Sequence, residues 1–228
     1  MNSKGIFITG TDTDVGKTYI SSMIMKSLVK SNINATYFKA ALSGADEIDN
    51  KLIPGDAKYV CDISGIDSNY DEMVSYTFKT AVSPHLASVI EDKEIKLEKI
   101  KCDFENLLNK HEFILAEGSG GIVCPIKIDD NECILLEDII NLLGFEVLVV
   151  ARSSVGTINH TVLTVKYLEE KNIKIRGIIL NEYDKNNIVH VDNAKVIEKL
   201  TNVNIVAFIP KYQNESDDIN IDLDKILE

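Results

Sequence analysis

The chain has 228 residues, of which 45% are hydrophobic, as expected for a globular protein with a sizeable core. Its 36 acidic and 24 basic side chains give a net charge of −12, which argues against nucleic-acid and anionic-membrane partners because those surfaces attract basic proteins. There is no apolar run of about 18 residues and no leader in which charged residues precede an apolar stretch, so the sequence predicts a soluble, cytoplasmic protein.

The first elements predict a phosphate-binding loop. An apolar run, Ile6–Ile8, indicates a buried strand. A polar loop, Gly10–Gly16, follows it, and then Lys17 and Thr18 open a helix that continues to about Lys30. Strand, glycine-bounded loop, Gly-Lys-Thr and helix are the parts of this motif in their usual order.

Each residue type in this loop has a physical role. The backbone N–H groups of the loop and of the helix start form a nest for polyphosphate. Gly16 can adopt angles that other residues resist, Lys17 is placed to reach the β- and γ-phosphates, and the Thr18 hydroxyl is placed to bind Mg²⁺. Five residues separate the two glycines, one more than usual, so Thr11 occupies the first-glycine position.

The rest of the chain alternates apolar strands with helices. We expect a long polar loop over 40–55 and irregular structure with some strand character over 70–82. The other predicted strands are Ala35–Phe38, Phe113–Glu117, Val147–Ala151, Ile175–Leu180 and Val203–Ile209; the predicted helices are a short one after Pro54, one starting at Ser83-Pro84, and Leu97–Asn109, Leu136–Leu143, Ile158–Lys171 and Val191–Leu200.

This alternation predicts a single α/β domain over residues 1–228 with the fold of phosphate-loop NTPases. Continuously apolar strands indicate a mostly parallel sheet with helices on both faces. Residues 213–228 are acidic, and we expect a weakly ordered tail with a small apolar anchor at Ile226 and Leu227.

Ligands of parallel sheets bind outside the carboxyl ends of the strands. Taken singly, Glu117 is interpretable as a solvated loop carboxylate, Asp56 as a helix N-cap and Lys39 as an ordinary polar strand end. Around one phosphate loop, however, two carboxylates and the Thr18 hydroxyl suit Mg²⁺, and two lysines suit a transferring phosphoryl group. The polar residues expected at this edge are Lys17, Thr18, Lys39, Glu117, Asn181 and Pro210.

The loop Gly10–Thr18, with its five-residue gap, resembles the phosphate loop of the dethiobiotin synthetase family. The stretch Lys39–Gly44 is similar to that family's strand-end lysine and serine, although Ala40 stands where the family often has proline. The likeness covers residues 5 to about 212, and its other motifs are Gly55-Asp56-Ala57, Tyr76-Thr77-Phe78, Ser83-Pro84-His85, Glu117–Gly121, Ile158-Asn159-His160 and Asn181.

The resemblance implies an ATP-dependent, carbon–nitrogen-forming cyclo-ligase of biotin biosynthesis that works as a homodimer. Its substrates would be 7,8-diaminononanoate, CO₂ or bicarbonate, and Mg·ATP. Its products would be dethiobiotin, ADP and phosphate. One amine captures CO₂ as a carbamate, the γ-phosphate is transferred to the carbamate oxygen to give a mixed anhydride, and the other amine closes the ureido ring.

The resemblance also implies residue roles. Lys17 and Lys39 would be catalytic, and Thr18, Asp56 and Glu117 would hold the metal. Substrate-binding residues would be Ser43, near the carbamate, and Gly156, Thr157 and Asn159, at a helix start that takes the substrate carboxylate across the dimer interface. The remaining ATP-binding residues would be Thr13, Asp14, Val15, Gly16, Tyr19, Gly118, Ser119, Gly120, Asn181, Glu182, Pro210, Lys211 and Tyr212; Asp56 and Glu117 belong to the same set, and His85 and His160 are interpreted as structural.

Two other functions fit a phosphate loop. A partitioning or septum-site ATPase switch would carry an extra lysine where this chain has Thr11, and a basic or amphipathic membrane element. A related amide-forming ligase, for example one acting on a corrinoid, would carry a glutamine-hydrolysing domain, for which 228 residues leave no room. The stretch Asn181–Asp184 is similar to a guanine-reading pattern but lacks its lysine, so ATP is expected and the base selectivity stays open.

Overall fold

The computed structural model describes residues 5–67, 69–211 and 221–227. Within these residues the strands are β1 Gly5–Gly10, β2 Ala35–Leu42, β3 Asp46–Ile48, β4 Lys51–Ile53, β5 Val74–Thr77, β6 Phe113–Glu117, β7 Pro125–Ile128, β8 Cys133–Leu135, β9 Val147–Arg152, β10 Ile175–Asn181 and β11 Ile205–Phe208. The helices are α1 Lys17–Lys30, α2 Gly55–Ser64, α3 Tyr70–Met73, α4 Pro84–Ile90, α5 Leu97–Lys110, α6 Leu136–Leu143, α7 Thr157–Glu170, α8 Ile188–Thr201 and α9 Asp224–Leu227.

Seven strands form one central sheet in the order β11-β10-β9-β1-β6-β2-β5. Every neighbouring pair in it is parallel, with β1 in the middle between β6 and β9. Two antiparallel hairpins, β3–β4 and β7–β8, lie outside the sheet. The parallel sheet confirms the predicted fold class.

Helices cover both faces of the sheet, as the apolar strands require. Because successive side chains of a strand point to opposite faces, Ile6 and Ile8 belong to one apolar cluster and Phe7 to the other. The first cluster includes side chains from α1 and α2, and the second includes side chains from α5, α6, α7 and α8. Burial on both faces explains why the central strands are continuously apolar.

The structure corrects the prediction for the second strand. The strand was expected to end at Phe38 with Lys39 at its carboxyl end, but β2 continues to Leu42. Its first half pairs with β6 up to Phe38↔Ala116, and its second half pairs with β5 from Lys39↔Val74. The added partner strand sustains β2 beyond the end of β6, so Lys39 lies inside a strand.

Other differences concern segments with weak apolar patterns. The expected loop over 40–55 contains the end of β2 and the hairpin β3–β4, whose side chains are largely exposed. The hairpin β7–β8 was not predicted, and the irregular stretch over 70–82 holds α3 and β5. Such short elements bury few side chains and therefore leave little periodicity in the sequence.

At the C-terminal end, residues 212–220 and 228 lie outside the described residues, and with them Tyr212 and much of the predicted tail. The segment 221–227 includes α9, and Ile221 and Ile226 are buried in the same apolar cluster as Ile209. None of the helices in the described part of the chain has both the length and the apolarity that crossing a membrane requires.

Gly5 provides a test of how tightly the centre of the sheet is packed. A Cβ atom there would lie 2.3 Å from the backbone oxygen of Ile114 and 2.3 Å from the ring of Phe145. We expect Gly5→Ala to lower the free energy of unfolding by about 1–3 kcal/mol, as overpacking typically does. In the control Gly55→Ala, nothing lies within 4 Å of the new Cβ, so stability should change little. Equal urea midpoints for the two variants would contradict this packing.

Candidate active site

The loop between β1 and α1 encloses a polar space at the carboxyl edge of the sheet. Gly16, just before α1, has φ 95°, a left-handed conformation that favours glycine. A Cβ atom there would also lie 2.2 Å from Nδ2 of Asn181. The Lys17 ammonium donates to the carbonyl oxygen of Asp12 at 2.9 Å. Among the described residues no side chain caps α1, which leaves the N–H groups of its first turn to an anion.

The ends of β9 and β10 hold this loop in place. The Asn181 side-chain amide donates to the carbonyl oxygen of Val15 at 3.0 Å, and its own backbone carbonyl accepts a hydrogen bond from Ser153 Oγ at 2.8 Å. The Arg152 guanidinium donates to the carbonyl oxygen of Asp14. Arg152 and Ser153 were not predicted as site residues, because only the folded chain brings the β9 end beside the loop.

Lys39, Asp56 and Glu117 meet beside the loop. The Lys39 ammonium lies 2.6 Å from Asp56 Oδ2 and 2.9 Å from Glu117 Oε1. The sheet register explains part of this contact, since Phe38 lies opposite Ala116 and the next residues are therefore neighbours. Asp56 comes from the first turn of α2.

The structure excludes the single-residue interpretations of these three side chains. The N-cap of α2 is Pro54, so the interpretation of Asp56 as an N-cap is wrong. Glu117 is only 2% exposed, which rules out a solvated loop carboxylate, and Lys39 is 4% exposed, which rules out an ordinary polar strand end. Buried charges of this kind are stable only when they are paired.

The charges in the cluster shift one another's protonation equilibria. Burial alone would lower the pKa of Lys39, but the negative charges of Glu117 and Asp56 outweigh it and raise that pKa. Burial would raise the pKa of Asp56, but the Lys39 charge holds it below its usual value. Burial and the Lys39 charge lower the pKa of Lys17. Lys39 and Asp56 therefore stay ionised at neutral pH.

The carboxylate of Glu117 is also tied to α1. Thr18 Oγ1 donates to Glu117 Oε1 at 3.0 Å, and Ser21 Oγ donates to Glu117 Oε2 at 2.7 Å. Sequence reasoning missed Ser21, although it lies one helical turn after Thr18 and so shares its face. Tyr37 is fully buried nearby, and burial together with the charges of Glu117 and Asp56 raises its pKa.

Two adjoining clefts lie at this edge of the sheet. The smaller, of about 490 Å³, is lined by the phosphate loop and by Lys39, Asp56 and Glu117. The larger, of about 1080 Å³, extends to α4 and α7. Both clefts are lined by Thr13, Asp14, Ser43, Ser119 and Gly120, so they are continuous.

Side chains of α7 that were not predicted as site residues line the larger cleft. They are His160, Leu163, Thr164 and Tyr167, so His160 faces a ligand-sized space although the sequence interpretation made it structural. His85 Nδ1 is buried without a hydrogen-bond partner among the described residues. The helical spacing of the α7 set was visible in the sequence, but nothing there indicated which face meets a cleft.

A third cleft, of about 720 Å³, lies beyond the end of β10. It contains the predicted residues Glu182, Pro210 and Lys211. The rings of Tyr183 and Phe208 lie 4.5 Å apart at this site. An aromatic pair beside a polar rim is a suitable surface for a planar base.

Most other predicted residues lie near the loop. Val15 is buried in the loop, Tyr19 lies on α1, and a Cβ at Gly118 would lie 2.8 Å from the side chain of Leu136. The Ser119 hydroxyl donates to the carbonyl oxygen of Ala41 at 2.6 Å.

Four predicted substrate-binding residues lie in two places. Ser43 donates to the carbonyl oxygen of Val82 and lines the clefts. Gly156, at φ 94°, precedes α7, and Thr157 and Asn159 occupy its first turn. Among the residues that the structure describes, the larger cleft takes its α7 lining from position 160 onwards, so Gly156, Thr157 and Asn159 belong to the lining of neither cleft.

The oxygen donors around Lys39 suit a divalent cation. A cationic group, the Lys39 ammonium, already lies between the two carboxylates. Across the described ranges no group of three or more His, Cys, Asp or Glu side chains has the arrangement of a metal site. A metal would therefore rely on Asp56, Glu117 and the Thr18 hydroxyl, with water and phosphate oxygens completing its shell, which is the manner of Mg²⁺.

Sequence comparisons identify a group of close relatives. A family model described as an AAA domain matches residues 4–217. The chain is 53% identical over 214 residues to the ATP-dependent dethiobiotin synthetase BioD of Clostridium novyi, with 94% of this chain and 90% of that protein covered. It is 48% identical over 225 residues to the synthetase of the same name from Clostridium perfringens strain 13, with 98% of each covered.

Structural comparisons find more distant proteins. A ParA family ATPase from Chlorobium tepidum superposes with a TM-score of 0.56 at 18% identity, covering 92% of this chain and 86% of that one. The MinD cell division protein of Aquifex aeolicus gives 0.55 at 15% identity, covering 95% and 86%. At such low identity these similarities show the fold alone.

The cluster makes a prediction for stability and pH. Lys39→Met would leave Asp56 and Glu117 without their cation, and breaking a buried pair in this way costs about 3–5 kcal/mol at neutral pH. In the wild type the depressed pKa of Asp56 contributes stability above the ordinary value of 3.8, and this is lost only as pH falls through the lower folded value. In the variant the Lys39 charge no longer lowers the pKa of Asp56, so burial raises that pKa. Protonation then relieves part of the penalty as pH falls.

Urea unfolding at about pH 7.5 and about pH 5.5 checks this prediction, because the stability gap between wild type and Lys39→Met should narrow at the lower pH. The control is Lys79→Met, since Lys79 pairs with Glu47 on the surface, where the side chains are 65% and 38% exposed. Its effect should be small and independent of pH in this range. A gap for Lys39→Met that stays constant would contradict the pairing.

Proposed function

Because this chain belongs to the ATP-dependent dethiobiotin synthetase family, we propose that its phosphate-loop site joins CO₂ to 7,8-diaminononanoate at the cost of Mg·ATP. The enzyme is an ATP-dependent cyclo-ligase of biotin biosynthesis. We also propose that CO₂ is the carboxylating substrate, that Mg²⁺ is the metal, and that the site residues have the roles given below. The working unit in this proposal is a cytoplasmic homodimer. The observation that carries the proposal is the buried Lys39 ammonium between Asp56 and Glu117, in the wall of the smaller cleft beside the loop.

The smaller cleft suits the triphosphate of ATP. The uncapped start of α1 and the Lys17 ammonium supply donors and positive charge for the phosphates. The third cleft, with Glu182, Pro210 and Lys211, suits the base, because Asn181 links it to the loop by its hydrogen bond to Val15. The roles of Thr13–Tyr19 and Gly118–Gly120 as nucleotide contacts belong to the same proposal.

Thr18, Asp56 and Glu117 are the residues that would hold Mg²⁺. A bound metal would neutralise phosphate charge during transfer. Their fit rests on the donor chemistry, since all three offer oxygen and two of them already bind the Lys39 cation. Lys39 would release these carboxylates and turn its charge towards the transferring phosphoryl group.

Side chains of the two clefts assist carbamate formation and phosphoryl transfer. The larger cleft holds the diamine, and one of its amines adds to CO₂ to form a carbamate, releasing its proton to solvent water. The carbamate oxygen attacks the γ-phosphorus in line, and ADP leaves. Lys17 and Lys39 stabilise the charge on the phosphoryl oxygens, and Ser43 contacts the carbamate from the shared wall of the clefts.

Ring closure needs no further catalytic base from the protein. The second amine attacks the carbonyl carbon of the carbamic–phosphoric anhydride, and phosphate leaves with the bonding electrons. The departing phosphate accepts the amine proton. The two amines are on adjacent carbons, so this step requires mainly that the cleft orient the second amine towards the carbonyl carbon.

The length of the substrate supports a homodimer. The reacting amines lie beside Lys17 and Lys39, and the carboxylate lies at the far end of an aliphatic chain, roughly 8–10 Å away. The start of α7, with Gly156, Thr157 and Asn159, is a place for that carboxylate that does not compete for phosphate. Because this segment lines neither cleft of its own chain, a partner subunit would supply it.

The regulatory switch is not favoured. The relatives of high identity are named as synthetases, and the likeness to ParA and MinD proteins concerns the fold alone. Measuring ATP turnover with and without 7,8-diaminononanoate separates the classes, because a ligase needs the diamine and a switch does not.

Labelled bicarbonate tests the proposed reaction. Purified protein with Mg·ATP and the diamine should give acid-stable label in a cyclic urea, together with ADP and phosphate in equal amounts. ADP formation without acid-stable label would refute the proposed reaction.

The two lysines should differ in their kinetic effects. Lys17 contacts phosphates in the ground state and the transition state, so Lys17→Gln should both raise the apparent KM for ATP and lower kcat. Lys39 should act mainly on charge that develops during transfer, so Lys39→Gln should lower kcat by about 10²–10³-fold with a smaller effect on binding. If Lys39→Gln alters only nucleotide binding, its catalytic assignment is wrong.

Mixing two inactive variants tests the shared site. Lys39→Gln and Asn159→Asp each spoil one half of every site, but one of the two sites in a mixed dimer receives both intact halves. After random subunit exchange about one site in four should recover activity. The control is each variant mixed with itself. No recovery after verified exchange, while both variants still bind nucleotide, would rule out a site built from two chains.

A further inference from the structure

The two oxygens of the Glu117 carboxylate have different partners. Oε1 accepts hydrogen bonds from Thr18 Oγ1 at 3.0 Å and from Lys39 Nζ at 2.9 Å, on the side of the cleft. Oε2 accepts one from Ser21 Oγ at 2.7 Å, inside the protein. Ser21 is fully buried and the Glu117 side chain is 0% exposed, so water does not compete for either group.

The hydrogen bond of Ser21 is unusual for a buried helical serine. Such hydroxyls normally donate to the carbonyl oxygen four residues earlier, as Ser27 does to Met23 in the same helix at 3.0 Å. Ser64 does the same to Val60 in α2 at 2.6 Å. Ser21 instead donates its hydrogen bond to the Glu117 carboxylate, which lies 96 positions away in sequence. The hydroxyl is therefore bonded to a residue of the candidate active site and not to a carbonyl of its own helix.

We propose that Ser21 is a positioning residue that sets the orientation of the Glu117 carboxylate for metal binding. By holding Oε2, its hydroxyl fixes the rotation of the carboxylate and leaves Oε1 as the oxygen that faces Thr18 and the cleft. Ser21 lines neither cleft and acts only through Glu117. The inference rests on the proposed role of Glu117 as a metal ligand.

The loss of this hydroxyl should weaken metal binding selectively. In Ser21→Ala the buried Oε2 loses the hydroxyl that holds it, so the carboxylate can rotate and turn Oε1 away from Thr18 and the cleft. Substitutions behind a metal ligand commonly reduce metal affinity by about 10–100-fold, and we expect an effect in that range. Nucleotide binding without metal should not change, because Ser21 lies behind the carboxylate and away from the loop donors.

Electron paramagnetic resonance of free Mn²⁺ measures this effect without relying on activity. The full-length protein is titrated with Mn²⁺ in the presence of a non-hydrolysable ATP analogue, and analogue binding is measured separately in EDTA. The matched control is Ser27→Ala, which removes a buried hydroxyl from the same helix far from the site. Ser21→Cys keeps the size and a weak donor, so it should bind Mn²⁺ with intermediate affinity.

Glu117→Gln separates the failure of this inference from that of the proposed function. If Glu117→Gln weakens Mn²⁺ binding and folded Ser21→Ala does not, the metal site stands and the role of Ser21 is refuted. If Glu117→Gln has no effect, the metal role of Glu117 fails and the inference with it. The inference is supported if Ser21→Ala as a single change weakens Mn²⁺ binding, and if the double variant with Glu117→Gln binds Mn²⁺ no more weakly than Glu117→Gln by itself.

Discussion

One buried ammonium group holds the active-site edge of this protein together. Lys39 pairs with Asp56 and Glu117 at 2.6 and 2.9 Å, and without it the buried Glu117 carboxylate would lie unpaired beside Asp56, whose side chain is 37% exposed. Like charges in such a place repel and carry a large desolvation cost. Because the three residues come from β2, α2 and β6, this interaction also fixes how those elements meet. The paired cluster therefore keeps anionic oxygen donors beside the phosphate loop.

The phosphate loop and the ion cluster form a single unit. Glu117 is bonded to Thr18 and Ser21 on α1, so the helix that presents its start to phosphate also orients the carboxylate. On the other side of the loop, Asn181 bonds to Val15 and receives a hydrogen bond from Ser153. A shift of the loop would thus disturb the cluster, the ends of β9 and β10, and the adjoining clefts together.

The sequence allowed the loop and six of the seven strands of the central sheet to be predicted, because these depend on local pattern. It also predicted that Lys17, Thr18, Lys39, Asp56 and Glu117 lie around one cleft, because parallel strands place their carboxyl ends at one edge. It did not show that β2 continues past Lys39, since that extension depends on pairing with β5. Nor did it show Ser21 or the α7 lining around Tyr167. Those residues acquire their roles only from neighbours that lie far away in sequence.

The most direct measurement is the anomalous scattering of Mn²⁺ in crystals of the protein with a non-hydrolysable ATP analogue. The account predicts one metal bound to a phosphate oxygen and, at about 2.1 Å, to oxygens of Thr18, Asp56 and Glu117, with the Lys39 ammonium moved from between the carboxylates. A metal bound elsewhere on the phosphates, with Lys39 still paired to Asp56 and Glu117, would contradict it.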